Sequence, residues 1–338
     1  MLNKMVTAGF DGYIDRIYKA IEKGDRYFTN IYEFGNYIAS KHPRSCAVQM
    51  DLISERMGGN APLFVNTLRR LVSEVNLIGM LGKDIINPIF NTLPSNGKNI
   101  SFSDSAETIA IEYTDSKLFL SPRLLKPHNL ESFLDEVKFK EMLNTSDLAA
   151  FLNWGEIDFM MDIWEYCWKS IVSNNTVDFN KYFFFDLADF SRHSEERINS
   201  LLALIKEYSS RRRVILGLNG NECSLLARSI DAKGDMKAQI RAIHSITNAI
   251  VVTHTREISV AFDGTSFFEK AVRIIEEPLI ATGIGDNFNA GFCYGLLLGV
   301  SIDMCLEYGN SSANKYLKTG YPSASQEELE ETRKLLYP

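Results

Sequence analysis

Residues 281–292 read Ala281-Thr282-Gly283-Ile284-Gly285-Asp286-Asn287-Phe288-Asn289-Ala290-Gly291-Phe292. Two glycines stand before an apolar, glycine-punctuated stretch whose spacing predicts a helix over Asn287–Leu298. A helix that begins on a glycine turn leaves its first amide donors unpaired, and those N–H groups and the helix dipole both favour negative charge. Asp286 lies at the same start, where a carboxylate can accept the proton of an attacking hydroxyl. Taken alone, the turn reads equally well as a capped helix with Asp286 as its N-cap.

Upstream of this turn, short apolar or β-branched runs alternate with helical patterns. Strands are predicted over Met5–Phe10, Val75–Met80, Leu148–Leu152, Tyr182–Leu187, Val214–Leu218 and Ala249–Thr253. Among the helical patterns, Glu195–Tyr208 places Ile198, Leu201, Leu202 and Ile205 on one face. Such alternation implies βα units in an α/β fold: a doubly wound, mainly parallel sheet flanked by helices. Two regions depart from it. Glu107–Thr114 and Lys117–Ser121 flank an Asp115-Ser116 turn and read as an antiparallel hairpin. Tyr13–Asp51 holds a strand-like start, a helix over Ile31–Ser40 and then Cys46–Ile53. Both are assigned to a small β-rich lid, formed by about residues 12–57 and 100–121, on a single domain spanning 1–338. Downstream of the turn, helices are predicted over Ile302–Lys318 and Gln326–Leu335. The last has glutamates towards its start and Arg333 and Lys334 towards its end, which suits the helix dipole; it is expected to pack outside the sheet and carry no chemistry.

Composition narrows the function classes. The 338 residues are 45% hydrophobic and 23% charged, as in ordinary globular proteins. A formal charge of -7 argues against a general nucleic-acid binder. The run Arg211-Arg212-Arg213 leads directly into an apolar strand and reads as a solvated turn. Five cysteines, scattered and without metal-knuckle spacing, read as reduced thiols of a cytoplasmic protein. Met1–Val6 lacks the apolar core of a signal peptide, and the apolar stretch 292–300 falls short of the ~20 residues a membrane helix needs, so no membrane partner is expected.

A second glycine motif shifts the balance at Asp286. Gly58-Gly59-Asn60-Ala61-Pro62 precedes a helical pattern, with Pro62 placed for a first turn. Two glycines admit close approach of a ligand to the backbone, and Asn60 offers both donor and acceptor to hydroxyls. Gly79-Met80-Leu81-Gly82-Lys83-Asp84 follows the second main strand, and Asn219-Gly220-Asn221-Glu222 follows a later one. In order and separation these four segments resemble the signatures of the ribokinase-like (PfkB) carbohydrate kinases, and the resemblance covers nearly the entire chain.

The resemblance implies transfer of the ATP γ-phosphoryl group to a hydroxyl of a sugar or sugar-like molecule. It makes Asp286 the catalytic base and the amides of Gly283, Ile284 and Gly285 the anion hole. Substrate hydroxyls are expected at Asp15 first and Asp11 second, with Gly59 and Asn60 completing that side. Asn219, Thr253 and Asn310 are expected at the nucleotide, and Glu222 at Mg2+, largely through water. Pairing of two copies through the lid is a further implication. Departures also stand in the sequence. Thr253-His254-Thr255-Arg256 replaces a glycine-bearing turn. Ile280-Ala281 stands where relatives carry Asp-Thr, so the carboxylate of a monovalent-cation site is lacking and only backbone carbonyls near Gly320 and Ser323 are left to bind potassium. The alternatives are a nucleoside kinase of the same fold and a ligand-binding homologue with weak catalysis. A dinucleotide-dependent oxidoreductase would need Gly-x-Gly-x-x-Gly after the first strand, which Gly9-Phe10-Asp11-Gly12 does not supply.

Overall fold

The run Tyr182–Asp186 shows why the sheet is buried on both sides. Phe183 and Phe185 enter one hydrophobic cluster and Phe184 enters another, because successive side chains of a strand point to opposite faces. Leu148–Phe151 divides in the same way, with Ala149 and Phe151 on one face and Leu148 and Ala150 on the other. The computed structural model describes residues 1–114, 116–174, 176–276, 278–279 and 282–338. Its strands are β1 Leu2–Gly9, β2 Tyr13–Lys23, β3 Arg26–Tyr27, β4 Met50–Gly58, β5 Val72–Gly79, β6 Asn99–Ser101 and β7 Ala106–Glu112. They continue as β8 Lys117–Leu120, β9 Leu148–Phe151, β10 Tyr182–Asp186, β11 Arg213–Asn219, β12 Ile250–His254, β13 Ile258–Phe262 and β14 Phe267–Ala271. The helices are α1 Ile31–Ser40, α2 Asn60–Leu68, α3 Leu130–Glu136, α4 Phe139–Thr145, α5 Met160–Cys167 and α6 Glu195–Ser209. After them come α7 Gly220–Ser229, α8 Met236–Thr247, α9 Ile284–Leu298, α10 Ile302–Thr319 and α11 Gln326–Leu336.

Among the described residues the main sheet has nine strands in the order β14-β13-β12-β11-β10-β9-β1-β5-β6. From β12 to β6 every neighbouring pair is parallel. One face is covered by α3 to α8, and the other by α2 and α9 to α11. The chain leaves β1 towards β5 and β6, then returns to β9 on the opposite side of β1. Such a reversal opens a crevice at the carboxyl ends of the strands, the usual position for a ligand in an open α/β sheet. Those ends carry Asp11, Asn153, Asp186, Asn219 and His254.

The second sheet is built on β2, which pairs antiparallel with β4 and parallel with β7; β3 and β8 flank it. A small cluster of Ala20, Phe28, Phe34 and Ile111 packs α1 against it. Two local departures from the sequence reading have clear causes. The strand expected over Cys46–Ile53 runs instead over Met50–Gly58, because its ladder with β2 continues to the Tyr13–Gly58 pair. The unforeseen β13 and β14 extend the main sheet as an antiparallel hairpin. Its turn is held by Asp263, whose Oδ1 accepts from the Thr265 and Ser266 amides, both at 2.8 Å.

Candidate active site

Helix α9 begins on Gly283, whose φ of +79° falls in the left-handed region that glycine tolerates. A Cβ there would lie 2.9 Å from Leu63 Cδ1. Asn287 clamps the turn: its amide and its side-chain Nδ2 donate to the Gly283 carbonyl at 3.1 and 2.8 Å. Asn287 Oδ1 accepts from Thr67 Oγ1 at 2.7 Å, which ties the turn to α2. The amides of Gly283, Ile284 and Gly285 precede that first helical bond, so they are the spare donors of a helix start. Asp286 lies in the same turn.

Two hollows meet at this turn. A cavity of about 200 Å³ is lined by Asp15, Asn60, Asn153, Glu156, Gly283 and Asp286, with Tyr13, Thr108 and Ser121 contributed from the second sheet and its end. A groove of about 760 Å³ is lined by Asn219, His254, Arg256, Ile284, Gly285 and Asn310 together with apolar residues. Gly283 and Asp286 therefore belong to one wall and Ile284 and Gly285 to the other. A single helix start separates a small polar cavity from a larger, largely apolar groove.

The carboxylates around the turn have different tasks. Asp11 is fully buried, and its oxygens accept from the amides of Asn60 and Ala61, both at 2.7 Å, and from Asn153 Nδ2 at 2.8 Å. It thereby holds the amino end of α2 to the switch point, and it is not among the cavity's lining residues. Asp15 does line the cavity; its carboxylate lies over Gly58, where a Cβ would come within 2.6 Å of Oδ1. Asp186 accepts from Asn60 Nδ2 at 3.1 Å, the Ala188 amide at 3.1 Å and Asn289 Nδ2 at 2.6 Å, so it links the Gly-Gly-Asn segment to α9. Glu222 and Asn219 form a reciprocal capping box at the start of α7.

Burial raises the carboxyls of Asp11, Asp15 and Asp186 from 3.8 to about 6 in each case. Burial, and then the charges of Asp186, Asp11 and Glu222, push Asp286 well above the ordinary carboxylate range. Glu222 is raised in the same way, by burial first and Asp186 second. Mutual repulsion of this kind is what a bound cation relieves, so the set suits Mg2+ beside phosphate oxygens. Among the described residues no three His, Cys, Asp or Glu side chains converge as a direct metal-ligand group.

The structure brings Asp15, Gly59, Asn60, Gly283 and Asp286 to the cavity, and Ile284, Gly285, Asn219 and Asn310 to the groove. Thr253 is fully buried and stands behind the wall, and the next residue, His254, lines the groove in its place. The His254 ring packs on Phe288 at 4.8 Å between centroids, and burial lowers its pKa to about 4, so the imidazole is neutral. Arg192 braces the loop after β9, donating to the carbonyls of Gly155 and Glu156 at 3.1 and 2.7 Å. The Ile280-Ala281 departure lies outside the described residues. Sequence reasoning did not single out Asn153, Glu156, Asp186 or His254 for the site. Three of the four, Asn153, Asp186 and His254, stand at the carboxyl end of a parallel strand, which is the positional signal that finds them.

Comparison with known proteins agrees with this fold. A family model described as prokaryotic ketohexokinase matches residues 2–335. The ketohexokinase of Haloferax volcanii is 22% identical, over 95% of this chain and 89% of that protein. A probable sugar kinase from Rhizobium etli has a similar fold, with a TM-score of 0.70 and 16% identity over 99% of both chains. The adenosine kinase of Sinorhizobium meliloti is similar at a TM-score of 0.68 and 15% identity, over 99% of this chain and 100% of that one.

Proposed function

Because the chain belongs to the prokaryotic ketohexokinase family of ribokinase-fold carbohydrate kinases, we propose that it transfers the γ-phosphoryl group of ATP to a hydroxyl of a ketohexose-like sugar, with Asp286 as the base. The observation that carries this reading is the α9 start, shared by the polar cavity and the apolar groove. Sugar hydroxyls fit the cavity, where Asp15 and Glu156 accept and Asn60 and Asn153 are placed to donate or accept. Its lining residues are acidic or neutral, which favours an uncharged sugar over a sugar acid or sugar phosphate.

Asp286 takes the hydroxyl proton as the oxygen attacks phosphorus in line. Charge on the three equatorial oxygens is met by the amides of Gly283, Ile284 and Gly285, which are already oriented. When bound, Mg2+ would supply neutralising charge to phosphate oxygens, with Glu222 and Asp186 as the carboxylates that would hold it, largely through water. Closure of the second sheet over the cavity, as a lid, keeps water from the phosphoryl group. Leu52, Ile53 and Leu120 are exposed on that sheet and support pairing of two copies through it. No helix among the described residues is long and apolar enough to cross a membrane. The free cysteines support work in a reducing compartment such as the cytoplasm.

The test is ATP consumption across ketohexoses, aldoses, sugar acids and nucleosides. Turnover of a ketohexose above the others is expected. Turnover confined to nucleosides would replace the sugar reading with a nucleoside kinase, and binding without turnover would leave a ligand-binding homologue.

A further inference from the structure

Within the groove, Val272, Ile274, Ala313 and Leu317 form apolar walls suited to a flat nucleobase, and Asn310 is set among them. Asn310 is only 3% exposed, yet both hydrogens of its amide are used inside the protein. Nδ2 donates to Ser259 Oγ at 3.0 Å and to the Tyr337 hydroxyl at 2.8 Å. Neither oxygen has a hydrogen to return. The Tyr337 hydroxyl donates to the Ala271 carbonyl at 2.8 Å, and the Ser259 hydroxyl reaches the Lys270 carbonyl at 3.5 Å. A hydroxyl has one proton, so both neighbours face Asn310 as acceptors and force its NH2 group inward. What remains of Asn310 for the groove is Oδ1, an acceptor with no donor of its own beside it.

Tyr337 reaches this position because α11 is riveted to α10. Arg333 bridges Glu307 and Glu330, each at 2.8 Å, and the Tyr308 hydroxyl donates to Glu330 at 2.7 Å. These partners hold the Glu330 carboxyl down at about 2, with Arg333 the main cause. The helix that reads from sequence as outer packing thus delivers a hydroxyl to the back of the groove.

We propose that Tyr337 is a positioning residue that, by orienting Asn310, makes the groove select a nucleobase bearing an exocyclic amino group, adenine over its 6-oxo counterpart hypoxanthine. An amino group donates to Oδ1. A 6-oxo group would set two acceptors against each other in a buried place, where an unpaired polar group is costly. The inference rests on the groove being the nucleotide site proposed above.

The test measures binding of ATP and of inosine triphosphate, which differ in the 6-amino or 6-oxo group and in the N1 hydrogen that the 6-oxo form carries, to the full chain by calorimetry with Mg2+ present. ATP should bind the unaltered protein about 10- to 100-fold more tightly. Tyr337→Phe keeps the ring but frees one amide hydrogen, and the preference should fall about 5- to 10-fold while the Michaelis constant for sugar stays unchanged. Asn310→Ala deletes the acceptor and should bring the two affinities nearly together; it supplies the same readout if Tyr337→Phe fails to fold. An unaltered protein that binds both nucleotides equally overturns the inference, as does a Tyr337→Phe protein, folded by its melting temperature, with an unchanged preference. Absence of any nucleotide binding overturns the kinase reading and this inference together, whereas equal binding overturns only the inference.

Discussion

Replacing Asp15 by Asn should stabilise the sugar-free protein while weakening its hold on sugar. Asp15 is partly buried in the cavity wall, and burial, followed by the charge of Glu156, raises its carboxyl from 3.8 to about 6. The folded chain therefore binds this proton more readily than the unfolded chain between those two values. Its ionised form costs stability above pH 6, and the cost fades as the pH falls towards 4. A rise of about two units corresponds to about 3 kcal/mol, and partial access to solvent reduces it to about 1–3 kcal/mol. Asn is nearly isosteric and uncharged, so Asp15→Asn should gain that amount at pH 8 and only about 0.5 kcal/mol or less at pH 4. Urea denaturation at the two pH values measures it directly. The Michaelis constant for sugar should rise about 10- to 100-fold, since a hydrogen bond to a charged acceptor is lost. A variant less stable than the parent at pH 8, or one with equal gains at both pH values, would refute the reasoning that an unrelieved carboxylate is held there for the substrate.

Four further outcomes follow from the geometry. Asp286→Asn should lower turnover by about 100-fold or more while leaving ATP affinity within about two-fold, measured by single-turnover kinetics and calorimetry. Since burial and neighbouring carboxylates raise the Asp286 carboxyl, the parent's kcat/KM should rise with pH through a limb above the ordinary carboxylate range; a limb near pH 4 would show that Asp286 is not the titrating base. Gly283→Ala places a Cβ on a residue at φ +79° and 2.9 Å from Leu63 Cδ1, so the melting curve should reveal a loss of about 1–2 kcal/mol and turnover should drop at least about 10-fold. Asn153→Ala removes the 2.8 Å donor to buried Asp11 and should destabilise the fold by about 1–3 kcal/mol in urea; no change would mean that this bond does not hold the switch point together.

Much of the scaffold was legible because burial on both faces imposes long apolar runs. Tyr182–Asp186 and Arg213–Asn219 were readable for this reason, and the amphipathic face of Glu195–Ser209 for the complementary one. The hairpin of β13 and β14 was passed over although Asp263-Gly264 is a hairpin signal, since two five-residue strands carry little periodicity of their own. In the site, the glycine turns announced where backbone must approach a ligand. They did not announce which carboxylates would face it.

The sequence by itself determined the α/β class, the glycine-led helix start and the acid placed on it, because these depend on local spacing and on glycine's freedom at positive φ. Only the tertiary structure decided that Asp11 is spent on the α2 amides while Asp15 faces the cavity, and that His254 rather than Thr253 lines the groove. The physical reason is the range of the contacts. Asn153 meets Asp11 across 142 residues, Asn289 meets Asp186 across 103, and Tyr337 meets Asn310 from just beyond the end of α11. A side chain's task depends on the donors folded around it, and these partners come together only when the strands have taken their order in the sheet.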